Sequence, residues 1–237
     1  MMGKLSIFDQ ANKEGRSILT EFESKRILKQ VGIPVVETKL AKTQKEAISL
    51  SRMMGFPVVL KIASPDVIHK SDSGGVKLSI TSVAEVKKAY DEILKKIGRQ
   101  YPRAVIHGVS IQKMVRPATE VIVGISKDPQ FGPVIMFGLG GIFVELLKDV
   151  SFRVVPVERR DAQEMIKEIK GYPLLEGYRG KEPANIPALV EIILKLSRWI
   201  EENPKIKELE LNPLFAYRDK ALAVDARIVL EGLVSVC

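Results

Sequence analysis

The chain has 237 residues, of which 46% are hydrophobic and 28% are charged, with a formal net charge of +8. This length and composition are typical of a globular protein with one large domain or two small ones. No apolar run approaches the ~20 residues of a membrane-spanning helix. The only cysteine is Cys237, which excludes disulfides within the chain and a cysteine metal cluster. The N-terminal residues show no secretory signal, so we expect a cytoplasmic protein.

The basic balance suits a polyanionic partner, but the Lys and Arg residues are dispersed along the chain. Aromatic residues make up only 6% of the sequence, whereas nucleic-acid surfaces usually combine a basic stripe with stacking aromatics. The composition therefore favours a nucleotide or coenzyme over nucleic acid.

Hydrophobic periodicity and turn residues divide the chain into helices and strands. In chain order, we predict a helix at 17–30, a strand at 35–41, a helix at 43–54, strands at 56–62 and 76–80, and a helix at 83–96. After these we predict strands at 109–114, 119–126, 134–137, 143–148 and 151–157, helices at 160–169 and 187–201, and a hairpin with strands at 210–214 and 221–226. Thr43 opens its helix as part of a Thr-x-x-Glu capping box, and Asn185 is the N-cap candidate of the last helix. Runs of strands followed by helices favour the α+β class, with one part at about 20–108 and another from 109 onward.

The hairpin carries a candidate metal site. Glu210 and Asn212 alternate with Leu211, which places the two polar side chains on one face of the strand. Asp225 on the second strand is expected beside Asn212. Magnesium takes one or two carboxylates from a protein and shares its remaining positions with substrate phosphates. A charged solvent face is the alternative interpretation.

Lys61 ends an otherwise apolar strand. A lysine in a buried strand is costly unless it meets an anion, so it is a candidate phosphate ligand. A lysine that reaches solvent from the strand end is the alternative.

Two glycine-containing segments, 71–77 and 138–141, are candidate anion-binding turns. Neither matches a Walker motif or a dinucleotide fingerprint, and each is also compatible with a plain turn. His69 precedes the first segment, and a neutral imidazole can accept a phosphoryl group. A surface histidine without a role is the alternative, which the residues alone favour. We assign no role to His107.

The segment 111–115 leaves its strand before Arg116 and Pro117, where backbone groups are expected to be exposed to a base edge. Glu120 heads the next strand and is a candidate ribose ligand. Two core strands joined by a proline turn are the alternative interpretation. Arg153 alternates with apolar residues and is expected either to contact a phosphate or to be solvated.

Together these segments resemble the ATP-grasp fold, and more closely the β subunit of ADP-forming acyl-CoA (acetate–CoA) synthetases, relatives of succinyl-CoA synthetase. The resemblance is carried, over essentially the whole chain, by four segments: 55–61, 69–76, 137–145, and 210–214 with Asp225. It implies two α+β subdomains that clamp ATP or ADP. One is formed by residues 20–108 and the other by residues 1–19 together with 109–237.

The resemblance also implies a role for each candidate. Lys61 binds the nucleotide phosphates, His69 is a second phosphohistidine on a mobile loop, and Arg153 assists the phosphates. Asn212 and Asp225 bind Mg²⁺, with Glu210 nearby. The adenine hinge is formed by Gln112, Lys113, Met114 and Val115. The ribose ligand is Glu120. The phosphates are covered by Gly138, Gly140 and Gly141.

The chain has no coenzyme A fingerprint and no separate coenzyme-binding domain. The resemblance therefore implies an α subunit that carries the CoA-binding and main phosphohistidine domains, in an α2β2 assembly. The implied reaction of the complex is acyl-CoA + ADP + phosphate ⇌ acid + CoA + ATP. Two alternatives stay open: another ATP-grasp carboxylate ligase that forms an acyl phosphate, and a basic module that binds nucleic acid.

Overall fold

The computed structural model describes residues 6–67, 69–141, 148–180 and 182–232. The chain divides into two compact units: Thr20–Glu23 with Val36–Arg116, and Met1–Leu19 with Ser24–Val35 and Pro117–Cys237. We name them the β1–β4 unit and the β5–β10 unit after their strands. Among the described residues, no helix has the length and apolar character needed to cross a membrane.

The β1–β4 unit is a four-stranded antiparallel sheet in the order β1-β4-β2-β3 with two helices. Its elements are β1 (Thr38–Ala41), α3 (Gln44–Met54), β2 (Val58–Ala63), β3 (Val76–Ile80), α4 (Val83–Gln100) and β4 (Gly108–Lys113). The apolar stripe of α4 packs on the sheet, where Ile93 and Ile97 join Leu60 and Ile111 in one core. Every residue of β2 is buried, including Lys61.

The β5–β10 unit is built on the antiparallel order β10-β8-β5-β6-β7, with β9 also paired to β8. Its helices are α1 (Ile7–Lys13), most of α2 (Glu21–Gln30), α5 (Arg159–Glu168), α6 (Tyr172–Leu175) and α7 (Ile186–Glu202), with a short 3₁₀ turn at Tyr178–Gly180. Its strands are β5 (Thr119–Asp128), β6 (Gly132–Leu139), β7 (Val150–Val154), β8 (Ile206–Ala216), β9 (Ala221–Ala223) and β10 (Ala226–Leu230). Fully buried Phe137, Ile193 and Leu196 lie in its core.

The two units differ in their bounds from the predicted division after residue 108. Strand β4 belongs with the first sheet because it pairs with both β1 and β2. Residues 24–35 belong to the β5–β10 unit because Leu28 and Ile33 are buried in its core. Both assignments depend on long-range packing, which local patterns do not report.

Most predicted elements are present, although α1 and α6 were not predicted and several bounds shift by a few residues. Three further differences involve the predicted helix at 17–30 and the predicted strands at 221–226 and 143–148. The helix predicted from residue 17 begins at Glu21, because Thr20 and Glu23 form a capping box there: Thr20 N–H donates to Glu23 Oε2 at 2.8 Å. The strand predicted at 221–226 is two strands, β9 and β10, with Asp225 between them. The strand predicted at 143–148 lies almost wholly outside the described residues, which omit 142–147.

Thr43 caps α3 as predicted, but the Glu46 side chain accepts from Lys42 N–H at 2.7 Å and does not complete the predicted capping box. The cap gives a stability test. Thr43 Oγ1 accepts a hydrogen bond from Glu46 N–H at 3.2 Å. Thr43→Ala is expected to lower the free energy of unfolding by about 1 kcal/mol, because one helix N–H loses its partner. Ser49→Ala, at an exposed position of the same helix, is the control and should stay within about 0.5 kcal/mol. Equal effects of the two substitutions in urea unfolding would refute the cap.

Candidate functional site

Asn212 and Asp225 lie side by side in the β5–β10 unit, as the alternation of the hairpin predicted. Asn212 N–H donates to the carbonyl oxygen of Asp225 at 3.3 Å, between the β8–β9 and β8–β10 pairings. Both side chains are partly exposed. The Asp225 carboxylate accepts from Ala226 N–H at 2.8 Å, which fixes its orientation. The residues that carry the carboxylate and the amide are therefore neighbours in the backbone pairing, and both are partly exposed.

Glu210 contacts both Asn212 and an arginine that the sequence did not point to. Asn212 Nδ2 donates to Glu210 Oε1 at 3.0 Å, and Arg227 Nη2 donates to Glu210 Oε2 at 3.1 Å. The first contact turns the amide oxygen of Asn212 away from Glu210, and the second compensates the Glu210 charge. Glu210 therefore orients Asn212, and its charge is already compensated by Arg227.

The donor set fits magnesium. Within the described ranges, no three His, Cys, Asp or Glu side chains converge as a metal cage. One carboxylate and one amide oxygen are nevertheless the sparse oxygen set that Mg²⁺ uses when phosphates and water complete its shell. Asp225 and Asn212 are the residues of this unit that would hold the ion.

The glycine segment and Glu120 meet at the start of β5. Gly140 N–H donates to the Glu120 carbonyl oxygen at 2.8 Å. A Cβ atom on Gly140 would lie 3.2 Å from Glu120 Cβ, and one on Gly141, where φ is +63°, would lie 3.2 Å from Glu120 Oε2. A Cβ on Gly138 would lie 2.8 Å from the carbonyl oxygen of Asp149. Glycine is therefore required for this close approach, and exposed Glu120 stands beside the turn. The remainder of the motif, 142–145, lies outside the described residues.

Arg153 on β7 is engaged by Glu168 of α5 through two N–H···O contacts, one of which, from Nη1 to Oε2, is 2.9 Å long. A fork-to-fork pair of this kind is among the stronger side-chain contacts. The predicted phosphate contact would require Arg153 to exchange this carboxylate for a phosphate, so that role stays a prediction.

The pair between Arg153 and Glu168 gives a pH test. The hydrogen bond from Arg153 lowers the pKa of Glu168 below its ordinary 4.5. A lowered folded-state pKa gives stability that is present above pH 4.5 and is lost as the pH falls through the folded value. Glu168→Gln should therefore cost up to about 1 kcal/mol at pH 7 and progressively less in acid, since the pair is half-exposed. Unfolding measured between pH 3 and 7 tests this. Glu201→Gln, on the exposed side of α7, is the control, and a cost that does not change with pH would contradict the assignment.

Lys61 meets an acid in the β1–β4 unit. Lys61 Nζ donates to Glu21 Oε1 at 2.8 Å, and the Lys61 side chain is only 7% exposed. Lys70 Nζ donates to the other oxygen, Glu21 Oε2, also at 2.8 Å. The buried Lys61 was expected to contact an anion, and the carboxylate of Glu21 is that anion. Glu21 was not among the residues predicted from the sequence.

His69 is exposed and begins a turn that is fixed to β2. Its carbonyl oxygen accepts from Ser73 N–H at 3.2 Å, and the Lys70 carbonyl oxygen accepts from Gly75 N–H at 2.7 Å. Ile62 N–H in turn donates to the Gly75 carbonyl oxygen at 2.7 Å. The imidazole therefore stands in solvent on an ordered turn whose next residue, Lys70, contacts Glu21.

The segment predicted as an adenine hinge uses several of its donors internally. Lys113 N–H donates to the Glu37 carbonyl oxygen and Met114 N–H to that of Pro57, each at 3.2 Å. Lys113 Nζ donates to the carbonyl oxygens of Met54 and Gly55 at the end of α3. Of the backbone groups expected to be exposed here, the N–H groups of Lys113 and Met114 are already hydrogen-bonded within the unit. Gln112 is buried at 2% exposure, and Val115 is half-buried.

Comparison with known proteins places these features in a family. A family model described as an ATP-grasp domain matches residues 10–230. Over 224 residues the chain is 53% identical to the acetate–CoA ligase (ADP-forming) I subunit beta of Pyrococcus furiosus, covering 94% of this chain and 96% of the relative. The chain belongs to the ATP-grasp family of ADP-forming acetate–CoA ligase β subunits. The α+β class and the resemblance stated from the sequence are thereby confirmed.

Solved structures of the same ATP-grasp family agree. The dinucleotide-forming acetyl-coenzyme A synthetase 1 of Ca. Korarchaeum cryptofilum, in complex with coenzyme A, Ca-AMPCP and HgCl⁺, superposes with a TM-score of 0.91 at 50% identity, covering 94% of this chain and 97% of that chain. A second structure of that protein contains coenzyme A and Mg-AMPPCP, with its phosphohistidine segment pointing towards the nucleotide-binding site. It has a TM-score of 0.82 at 47% identity over the same shares.

A longer member of this ATP-grasp family is the acetate–CoA ligase (ADP-forming) I of Archaeoglobus fulgidus. The chain is 46% identical to it over 204 residues, which are 86% of this chain but only 30% of that protein. This chain therefore matches one segment of the longer relative and nearly the full length of the Pyrococcus subunit.

Proposed function

We propose that the chain is the nucleotide-binding β subunit of an ADP-forming acyl-CoA synthetase. The proposed reaction is acyl-CoA + ADP + phosphate ⇌ acid + CoA + ATP, with phosphate carried by a histidine. The observation that carries the proposal is the near full-length likeness to a β subunit of this activity. The adjacent carboxylate and amide of Asp225 and Asn212 support it, since they fit a nucleotide-bound cation.

The proposed reaction requires little covalent chemistry from the protein other than the phosphorylation of histidine, and the protein mainly positions and stabilises the phosphates. An oxygen of the ADP β-phosphate attacks the phosphorus of phosphorylated His69, the N–P bond breaks, and the bonding pair returns to the imidazole. Lys61 binds the phosphates as a point charge. Magnesium, when bound, neutralises phosphate charge, and Asp225 and Asn212 would hold it there. The magnesium complex of the Korarchaeum relative supports this cofactor.

The nucleotide contacts are proposals at the residue level. Glu120 binds the ribose, the turn of Gly138, Gly140 and Gly141 covers the phosphates, and the segment from Gln112 to Val115 lines the adenine. Because two N–H donors of that segment are occupied, its base contacts use its carbonyl oxygens and the Val115 backbone. Arg153 joins the phosphates only by leaving Glu168.

We also propose a partner. The β-subunit designation of the Pyrococcus relative and the match to 30% of a longer ligase both support a second subunit that carries the CoA-binding and first phosphohistidine domains. The proposed assembly is α2β2, and this partner sets the acid specificity.

Purification of the chain with its co-expressed partner tests the proposal. The complex should form ATP from acetyl-CoA, ADP and phosphate, and the chain alone should not. Labelled ATP should leave acid-labile, base-stable phosphate on the chain, which separates this reaction from a ligase that forms a free acyl phosphate. A complex that binds Mg–ADP but leaves no phosphohistidine would refute the relay.

A further inference from the structure

A cluster of three charged side chains lies inside the β1–β4 unit. Glu21 occupies its centre, with Lys61 on one carboxylate oxygen and Lys70 on the other, each at 2.8 Å. The side chains of Glu21, Lys61 and Lys70 are 4%, 7% and 16% exposed. At this burial each lysine charge requires close anionic compensation, and both use the same carboxylate.

The local structure fixes Glu21 in that place. The capping box of Thr20 and Glu23 anchors the first turn of α2, so Glu21 projects from an ordered helix start. Glu23 is used by the cap, whereas the Glu21 carboxylate is used by the lysines. The two neighbouring acids therefore have separate tasks.

The cluster connects two parts of the proposed reaction. Lys61 is the proposed phosphate lysine. Lys70 directly follows His69, and its carbonyl oxygen accepts from Ser73 Oγ at 3.0 Å and from Gly75 N–H at 2.7 Å. The backbone of Lys70 thus closes the histidine turn while its side chain contacts Glu21. A substitution of Glu21 therefore alters the contacts of Lys61, the proposed phosphate lysine, and of Lys70 in the turn that bears His69.

We propose that Glu21 is a positioning residue that couples nucleotide binding at Lys61 to the placement of the His69 turn. Nucleotide phosphate and the Glu21 carboxylate are both anions and compete for the Lys61 ammonium group. When phosphate takes Lys61, the carboxylate keeps its contact with Lys70 and holds the histidine turn for transfer. This inference rests on the proposed function and adds a residue that the sequence analysis did not assign.

The test uses Glu21→Gln in the complete complex, because glutamine keeps the shape and removes the charge. Without the competing carboxylate, Lys61 is freer for phosphate, so the Kd for Mg–ADP should fall by about 5-fold or more. The rate of phosphoryl transfer from His69 to ADP should fall by about 5-fold or more in single-turnover experiments, because Lys70 loses its anchor. A merely structural role would weaken both properties together.

Lys70→Met tests the anchoring of the His69 turn separately from the competition for Lys61. It also provides a test if Glu21→Gln does not fold. It leaves the contact between Glu21 and Lys61 intact, so transfer should slow while the Kd for Mg–ADP does not fall. Glu92→Gln is the matched control, since it removes a carboxylate that contacts Lys77 in an exposed ion pair of the same unit. Both properties should keep their parental values in the control.

Parental or weaker Mg–ADP binding in Glu21→Gln would overturn the proposed competition. An unchanged transfer rate in Lys70→Met would overturn the proposed anchoring of the turn. Failure of the proposed function has a different signature, because the parental complex would then form no phosphohistidine at all.

Discussion

Replacing Asp225 with asparagine is expected to lower magnesium-dependent ATP formation by about 100-fold or more. Removal of residues that only support metal ligands already costs about 10- to 100-fold, and Asp225 is the carboxylate proposed to touch the ion. Asparagine keeps the size of the side chain, and its oxygen can still accept the hydrogen bond from Ala226 N–H. The loss should therefore come from the missing charge and not from unfolding.

The measurement is a magnesium titration of ADP binding and of ATP formation in the complete complex. Asp225→Asn should shift the half-saturating magnesium concentration upward and lower the maximal rate. Asp219→Asn provides the control, because Asp219 lies on the same hairpin with a side chain that is 74% exposed. A magnesium dependence in Asp225→Asn equal to that of the control would refute the metal assignment.

The resemblance already set Asn212 and Asp225 apart from Glu210, but the contacts of Glu210 could not be predicted from the sequence. Alternation correctly placed Glu210 and Asn212 on one face, because side-chain direction has a period of two in a strand. The charge on Glu210 is compensated by Arg227, which lies opposite it in β10. The predicted hairpin strand ended at residue 226, one residue before Arg227, so the sequence did not indicate the partner of Glu210.

Local signals predicted helix boundaries well where a capping side chain stood in front of an apolar stripe. Thr43 and Asn185 both cap their helices through a backbone N–H, as expected. Thr20 has the same Thr-x-x-Glu spacing, but Ile18 and Leu19 extended the helical periodicity past it. The structure uses these two residues in pairing with β10 instead: Ile18 bridges Val229, and Leu19 N–H donates to the Ile228 carbonyl oxygen.

Long-range partners account for the unforeseen parts of the site. Glu21 lies 40 residues before Lys61 and 49 before Lys70, and Glu168 lies 15 residues after Arg153. The sequence indicated that a buried lysine needs an anion, and that requirement was correct. Which acid supplies it depends on the placement of residues 20–23 within the β1–β4 unit, which periodicity does not report.

Replacing His69 with asparagine is expected to reduce ATP formation by the complete complex on the order of 10³-fold or more, because the group that accepts the phosphoryl moiety is removed. His69 lies exposed on a turn that is fixed through Lys70 and Gly75, so the substitution leaves the sheet and its core unchanged. Nucleotide binding should persist, since Lys61 and Asp225 do not depend on the imidazole. The expected pattern is a normal Kd for Mg–ADP together with loss of transfer.

Labelled ATP should leave no acid-labile phosphate on the His69→Asn chain, whereas His107→Asn is the matched control and should be labelled normally. His107 is the other histidine of the chain, and its backbone N–H donates to the Ala63 carbonyl oxygen at 2.8 Å in the same unit. Parental ATP formation by His69→Asn would exclude phosphate transfer through this residue, while the loss of labelling in both variants would point to a general disturbance of the β1–β4 unit.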